Sequence, residues 1–377
     1  KWKAVDPNTW YFYLREDVKF SNGQKMTSED VVFSILRAKQ PTSDFKEYIS
    51  TISGVKAIDD YTVQIKTSKP NPILLNQLSN IFIMSKQWST DNFVIAPQNW
   101  DAGQETFSAT NAMGTGPFKI TLREPNTKTV FKKNKKWWGK VEHNLEEIQL
   151  LPIANAATRV AALLSGEIDI VTDAPVQDLD RIAGSGSHKV ISVEQMRTIF
   201  LGMDQGVDKL RSGNTGDNPF KKKEVRQAFY QAIDIEAIKK KVMRGLSSPA
   251  GIITFPGVTG YTKELDERLP YDVDAAKQLL ADAGYPDGFD IELRCPNDRY
   301  VNDEAICTAV VGMLGKIGVN VNLFAQTKSK HFKELKDNQG DFYMLGWGVP
   351  TLDSHYVFHY LYESGASWNK VNFSDPE

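Results

Sequence analysis

Residues Glu147–Val171, EIQLLPIANAATRVAALLSGEIDIV, read as strand, helix and strand. Ile148, Leu150 and Leu151 make an apolar strand that Pro152 stops, because proline has no N–H to continue a ladder. Asn155 is a helix N-cap, since its short side chain accepts a bond from an orphan backbone N–H. Ala156–Leu164 then carries Ala157, Val160, Ala161 and Leu164 on one helical face. Gly166 supplies the left-handed residue that closes a helix. Ile168–Val171 returns as a strand, so the stretch predicts the βαβ unit of a parallel sheet.

Outside this unit the composition narrows the possibilities. A chain of 377 residues, 41% of them hydrophobic, predicts two or three domains with packed cores. The 45 basic and 47 acidic residues are interspersed and leave a formal charge of −2. A nucleic-acid partner needs a clustered basic face, so none is expected. No apolar run approaches the ~20 residues of a membrane-spanning helix. Eight tryptophans and thirteen tyrosines suit either a ligand wall or a core. The two cysteines, Cys295 and Cys307, fit no metal-site spacing, and a disulfide between them stays open.

Trp10–Leu14 reads as a strand, and Thr27 with Asp30 has capping-box spacing before the apolar face Val31, Val32, Ile35 and Leu36. Gly54–Thr67 reads as a hairpin about Asp59-Asp60, and Thr115–Arg123 with Thr129–Lys133 as a second. Residues 86–112, with Trp88 and Trp100, are polar and irregular. Val190–Val193 and Arg197–Met203 are strand-like. Gly245–Pro256 reads as a domain connection. From Asp274 the order is helix, strand Ile291–Cys295, helix Asp303–Ile317, strand Val319–Phe324, short helix Phe332–Lys336 and strand Phe342–Trp347. That is a second α/β domain.

Several of these segments carry a resemblance. TRVAALLSGEIDIV, Val18-Lys19-Phe20 with Asn22-Gly23 and Thr27–Val31, and Gly114-Thr115-Gly116-Pro117-Phe118 are similar to motifs of family 5 extracellular solute-binding proteins. So are Asn134 with Trp137-Trp138-Gly139, Asn218-Pro219-Phe220 with Val225–Ala228 and Ala232-Ile233-Asp234, and residues 272–289. Together they run along essentially the whole chain in family order. The resemblance implies an α/β, periplasmic-binding-protein-like fold (type II, with an extra domain), two α/β lobes about a hinge. The implied division is an extra α+β domain at 1–143, a central lobe at 144–250 and a second lobe at 251–377. Family members usually extend past both ends of this sequence, so both lobes are expected to be incomplete.

The resemblance also implies a function: the receptor of an ABC importer, periplasmic or membrane-anchored outside the cell. It would act as a monomer without a cofactor, deliver its solute to permease subunits in the inner membrane and leave that solute chemically unchanged. The solute would be a peptide, an opine-like molecule or an oligosaccharide, and the lobes would close on it. No Gly-x-Ser-x-Gly, His-Glu-x-x-His, Walker or Cys-x-x-Cys pattern competes with this reading. The alternative class is a carbohydrate-active protein with a tryptophan-lined groove, which needs two carboxylates about 5–9 Å apart.

Candidate ligand residues gather around the Gly346-Trp347 segment, which resembles one that leaves a strand at the family's cleft. Trp347 is the expected stacking wall, with Gly348 beside it. In peptide-binding relatives an acidic residue three positions after the tryptophan meets the ligand's ammonium, and here that position is Pro350. Asp353 either caps a helix or accepts a hydrogen bond from the ligand. Arg299 and Tyr300 follow a strand, where open α/β sheets bind ligands. Arg299 either clamps a carboxylate or pairs with Asp298 or Asp303. Arg197 is either an exposed strand-start charge or a second anion clamp. His355 and His359, four apart near Asp353, form an alternative metal pair, because some relatives bind nickel complexes.

Overall fold

The computed structural model describes residues 1–99 and 102–375, so Trp100 lies outside it. Two compact units divide the chain, Lys1–Pro152 and a second that begins at Ile153.

The first unit holds two antiparallel sheets. One has the order β1 (Trp2–Asp6), β2 (Thr9–Tyr13), β4 (Thr62–Thr67), β3 (Ile52–Asp59). Helix Ser28–Ala38 covers it, burying Val31, Ile35 and Ala38 against Trp10, Val63 and Ile65. The expected capping box is present: the Thr27 amide donates to Asp30 at 2.8 Å. The second sheet has the order β5 (Phe118–Glu124), β6 (Lys128–Lys133), β7 (Glu147–Leu150).

Here the expected parallel βαβ unit fails. Strand β7 pairs antiparallel with β6, from Lys132↔Glu147 to Thr129↔Leu150. Ile168–Val171 and Val190–Val193 form no strand, and Ile170 and Val193 are 80% and 84% exposed. An apolar run becomes a strand only where a sheet edge offers backbone partners. The helix between is as read. Thr158 N donates to the Asn155 side chain at 2.9 Å, and Gly166 closes Ala156–Ser165 at φ 78°. Its buried residues are Val160, Ala162 and Leu163, so the packed face is rotated from the expected one.

The second unit is built on one mixed sheet in the order β10, β9, β11, β8. These are β8 (Arg197–Met203), β9 (Asp290–Pro296), β10 (Asn320–Gln326) and β11 (Phe342–Gly348). Strands β9, β10 and β11 are parallel, joined by helices Asp303–Gly315 and Lys328–Lys336, as the alternation from 274 onward predicts. Strand β8, from the segment read as the central lobe, runs antiparallel to β11 at the sheet's edge, with Gly348↔Arg197 and Trp347↔Thr198 opposite each other.

Side chains alternate across a sheet. Phe342 and Met344 enter one core with Phe220, Phe229, Leu293 and Leu314. Tyr343 and Leu345 point to the other face, against Leu335. Arg211 fixes the opposite end of this strand pair. It bonds Asp204 at 3.0 Å and Asp341 at 2.6 Å, and both carboxylates are almost wholly buried.

Candidate functional site

The carboxyl ends of three parallel strands lie at one edge of the second unit's sheet, and β8 begins there. Four of the six candidate residues share this edge: Arg197, Arg299, Tyr300 and Gly348.

Tyr300 is the centre. It is half-buried against the main core, and its hydroxyl accepts the Gly346 amide at 2.8 Å. Gly346 permits that approach, because a Cβ there would meet the Tyr300 ring at 2.7 Å. Burial pushes the Tyr300 hydroxyl above the ordinary phenol range, so it stays neutral. The Arg299 guanidinium stands 5.2 Å from the ring centroid and that of Arg197 5.9 Å. Arg299 also lies 5.9 Å from the Phe332 ring.

Neither arginine meets a carboxylate among the described residues, whereas Arg211 and Arg294 elsewhere on the sheet are both ion-paired. The Nε of Arg197 is buried and has no hydrogen-bond partner there. The alternative pairing of Arg299 with Asp298 or Asp303 is not what forms. Asp298 accepts the Lys328 amide at 2.5 Å. Asp303 accepts the amides of Arg299 and Tyr300, each at 2.9 Å. The edge's acids are occupied by backbone N–H groups and its arginines are not.

The remaining candidates are placed differently. Trp347 projects to the opposite face from Arg197, since it sits opposite Thr198 in the ladder. It is half-buried at the hub of Tyr356, Tyr360 and Trp368, with ring centroids 6.0, 5.8 and 5.9 Å away. Its ring is packed from several sides rather than left as an open wall. Asp353 accepts the His355 amide at 2.9 Å, the helix-start role. Pro350 is exposed. His355 and His359 stack at 5.5 Å, but His359 bonds Glu363 at 2.5 Å. Among the described residues no three His, Cys, Asp or Glu side chains are grouped to hold a metal.

Three supporting residues escape sequence reasoning. Gly346 leaves room for Tyr300, Asp303 holds two loop amides, and Phe332 backs Arg299. Only Asp303 gave a signal, as an acid at a helix start. A cavity of about 410 Å³ also opens along β8, between Phe200, Met203, Arg226, Tyr230, Tyr362 and Trp368. It contains none of the candidate residues.

Residues 1–369 match the family model described as bacterial extracellular solute-binding proteins, family 5 Middle. The dipeptide-binding protein of Escherichia coli K12 is 26% identical over 399 residues, covering 99% of this chain and 71% of its own length. Heme-binding protein A of Haemophilus influenzae is 25% identical over 378 residues, covering 93% and 65%. Among solved structures, AgaA of A. tumefaciens R10 in complex with agropinic acid aligns at TM-score 0.78 with 27% identity, over all of this chain and 73% of that one. The Bacillus subtilis protein AppA, in complex with a nonapeptide, aligns at TM-score 0.83 with 21% identity, over 100% and 75%, and speaks to the fold alone. These neighbours share the periplasmic-binding-protein α/β fold expected from the sequence. With the family model matched from residue 1 to residue 369, this chain belongs to the family 5 bacterial extracellular solute-binding proteins.

Proposed function

We propose that the chain is the solute-capturing part of an ABC importer receptor, and that its solute is a small carboxylate of the peptide or opine-like kind. One observation carries the reading: two guanidinium groups, without acidic partners among the described residues, flank Tyr300 at the carboxyl edge of the sheet. A bound carboxylate would accept charge-assisted, bidentate bonds from either arginine. It would also give the buried Arg197 Nε an acceptor. Gly348, opposite Arg197 in the ladder, leaves backbone accessible beside them. Trp347 backs this edge from the other face.

Pro350 supports a narrower statement. A ligand ammonium placed beside it would find no carboxylate there, and a desolvated charge without a partner is costly. The solute is therefore bound through its acid groups, with no requirement for a free α-ammonium.

Binding proceeds without turnover, and the solute passes to a permease in the membrane. The buried Cys295–Cys307 disulfide suits an oxidising compartment, the periplasm or the cell exterior. The carbohydrate alternative has less support, because Asp298, Asp303 and Asp353 are all engaged by backbone amides.

The test is calorimetric titration with N-acetyl-L-glutamate, its dimethyl ester and free L-glutamate. The expected order is N-acetylglutamate at least equal to glutamate, with no binding of the ester. Arg299→Ala and Arg197→Ala should each weaken N-acetylglutamate about 10- to 100-fold, the value of a hydrogen bond to a charged group. Equal affinity for acid and ester, or indifference to both substitutions, would overturn the reading.

A further inference from the structure

Arg299 and Tyr300 lie in the loop between β9 and helix Asp303–Gly315, and that loop is anchored on both sides. Cys295, near the end of β9, is bonded to Cys307, in the second turn of the helix. Both are fully buried, packed beside Met344 of β11. The covalent bond spans 12 positions and encloses the whole of Pro296–Ile306. Inside this ring, Asp303 is 4% exposed, and its carboxylate accepts the amides of Arg299, Tyr300 and Glu304. Asn302 sits in the left-handed region at φ 56°, and its side chain donates to the Val242 carbonyl at 2.9 Å. Asparagine tolerates that conformation better than most residues.

We infer that the Cys295–Cys307 disulfide is a positioning device for the ligand site: it holds Arg299 and Tyr300 in the arrangement that meets the solute. The inference deepens the carboxylate reading and rests on it for the ligand. An exposed arginine has many rotamers and a free loop many backbone states, and both would have to be ordered on binding. The ring removes the backbone share of that cost before the solute arrives. Asp303 and Asn302 then fix the loop's inner turn. The disulfide does not touch the solute; it acts through Arg299.

The test compares the oxidised protein with the Cys295→Ala/Cys307→Ala double variant. Wild type refolded and kept under a phosphine reductant serves as a second disulfide-free form that retains both sulfurs. Amide hydrogen exchange is read first, without ligand. Exchange at residues 297–306 should rise about tenfold or more while β10 and β11 keep their protection.

N-acetyl-L-glutamate affinity is read next and should fall about tenfold in both disulfide-free forms. Adding Arg299→Ala to the double variant should cost much less than Arg299→Ala costs the oxidised protein, because the bond works through that side chain. Faster exchange spread evenly over the second unit would mark the bond as a plain stabiliser and overturn the proposal. So would unchanged exchange in the loop, or effects that simply multiply. Should N-acetylglutamate fail to bind the oxidised protein, the carboxylate reading falls, and the exchange result still decides whether the bond holds the loop.

Discussion

Trp347 and Arg299 show how much a residue's role depends on which face of a sheet it meets. From the sequence both are candidate ligand contacts. In the structure they part: Trp347 sits opposite Thr198 and so projects to the face of the sheet away from Arg197, whereas Arg299 lies in the loop after β9 beside Tyr300. Arg299 stands over Tyr300 without an acidic partner among the described residues, while Trp347 is packed among Tyr356, Tyr360 and Trp368. The two should fail differently when truncated. Trp347→Ala removes a large, half-buried ring from an aromatic cluster and should cost about 2–4 kcal/mol of stability. It should leave N-acetylglutamate affinity within a few-fold of wild type. Arg299→Ala should do the reverse. Urea unfolding and calorimetry on the two variants check this, and a stable Trp347→Ala protein that has lost binding would return the tryptophan to the site.

At the scale of elements, local signals were legible and pairings were not. The capping box at Thr27, the Asn155 cap and the Gly166 stop are short-range chemistry, and all three form. The alternation of strand and helix from 290 to 348 was equally plain. The partner of a strand is a long-range fact. Nothing within Glu147–Leu150 says that β6 will take it antiparallel, and nothing within Ile168–Val171 says that it will find no edge. The site divides along the same line. The loop after β9 announced Arg299 and Tyr300, whereas Gly346 and Phe332 reach Tyr300 and Arg299 from other elements and had no local mark.

Helix Lys328–Lys336 adds a feature visible only in three dimensions. His331 is fully buried, and its Nε2 donates to the Met344 carbonyl of β11 at 2.9 Å. Its Nδ1 has no partner among the described residues. Burial holds its pKa below the ordinary 6.5, although Glu334 nearby favours the charged form. The sign follows. The unfolded chain takes up the proton first, so the folded state is favoured fully above about pH 6.5 and loses that advantage as the pH falls towards the depressed folded value. Unfolding free energy should therefore drop between pH 7 and pH 5. In His331→Gln, which keeps a donor for Met344, the drop should be shallower; an identical slope would assign the acid sensitivity to other groups.

For the whole molecule, stability and binding are one equilibrium. A solute that binds only the folded state stabilises it by RT ln(1 + [L]/Kd), about 2.7 kcal/mol at a hundredfold excess over Kd. The candidate edge belongs to the unit that begins at Ile153, and the first unit carries its own core around Trp10 and Ile65. A ligand held by Arg197, Arg299 and Tyr300 should therefore protect the second unit most directly. In that unit the expected rise in unfolding midpoint is roughly 5–10 °C at this excess, given about 2–4 °C per kcal/mol for a body of its size. Hydrogen exchange with and without N-acetyl-L-glutamate should show the gain concentrated in β9, β11 and helix Asp303–Gly315. The gain should be absent in Arg197→Ala/Arg299→Ala. Protection confined to the antiparallel sheets of the first unit would mean that the acid is held elsewhere, and that the two arginines serve some purpose other than capture.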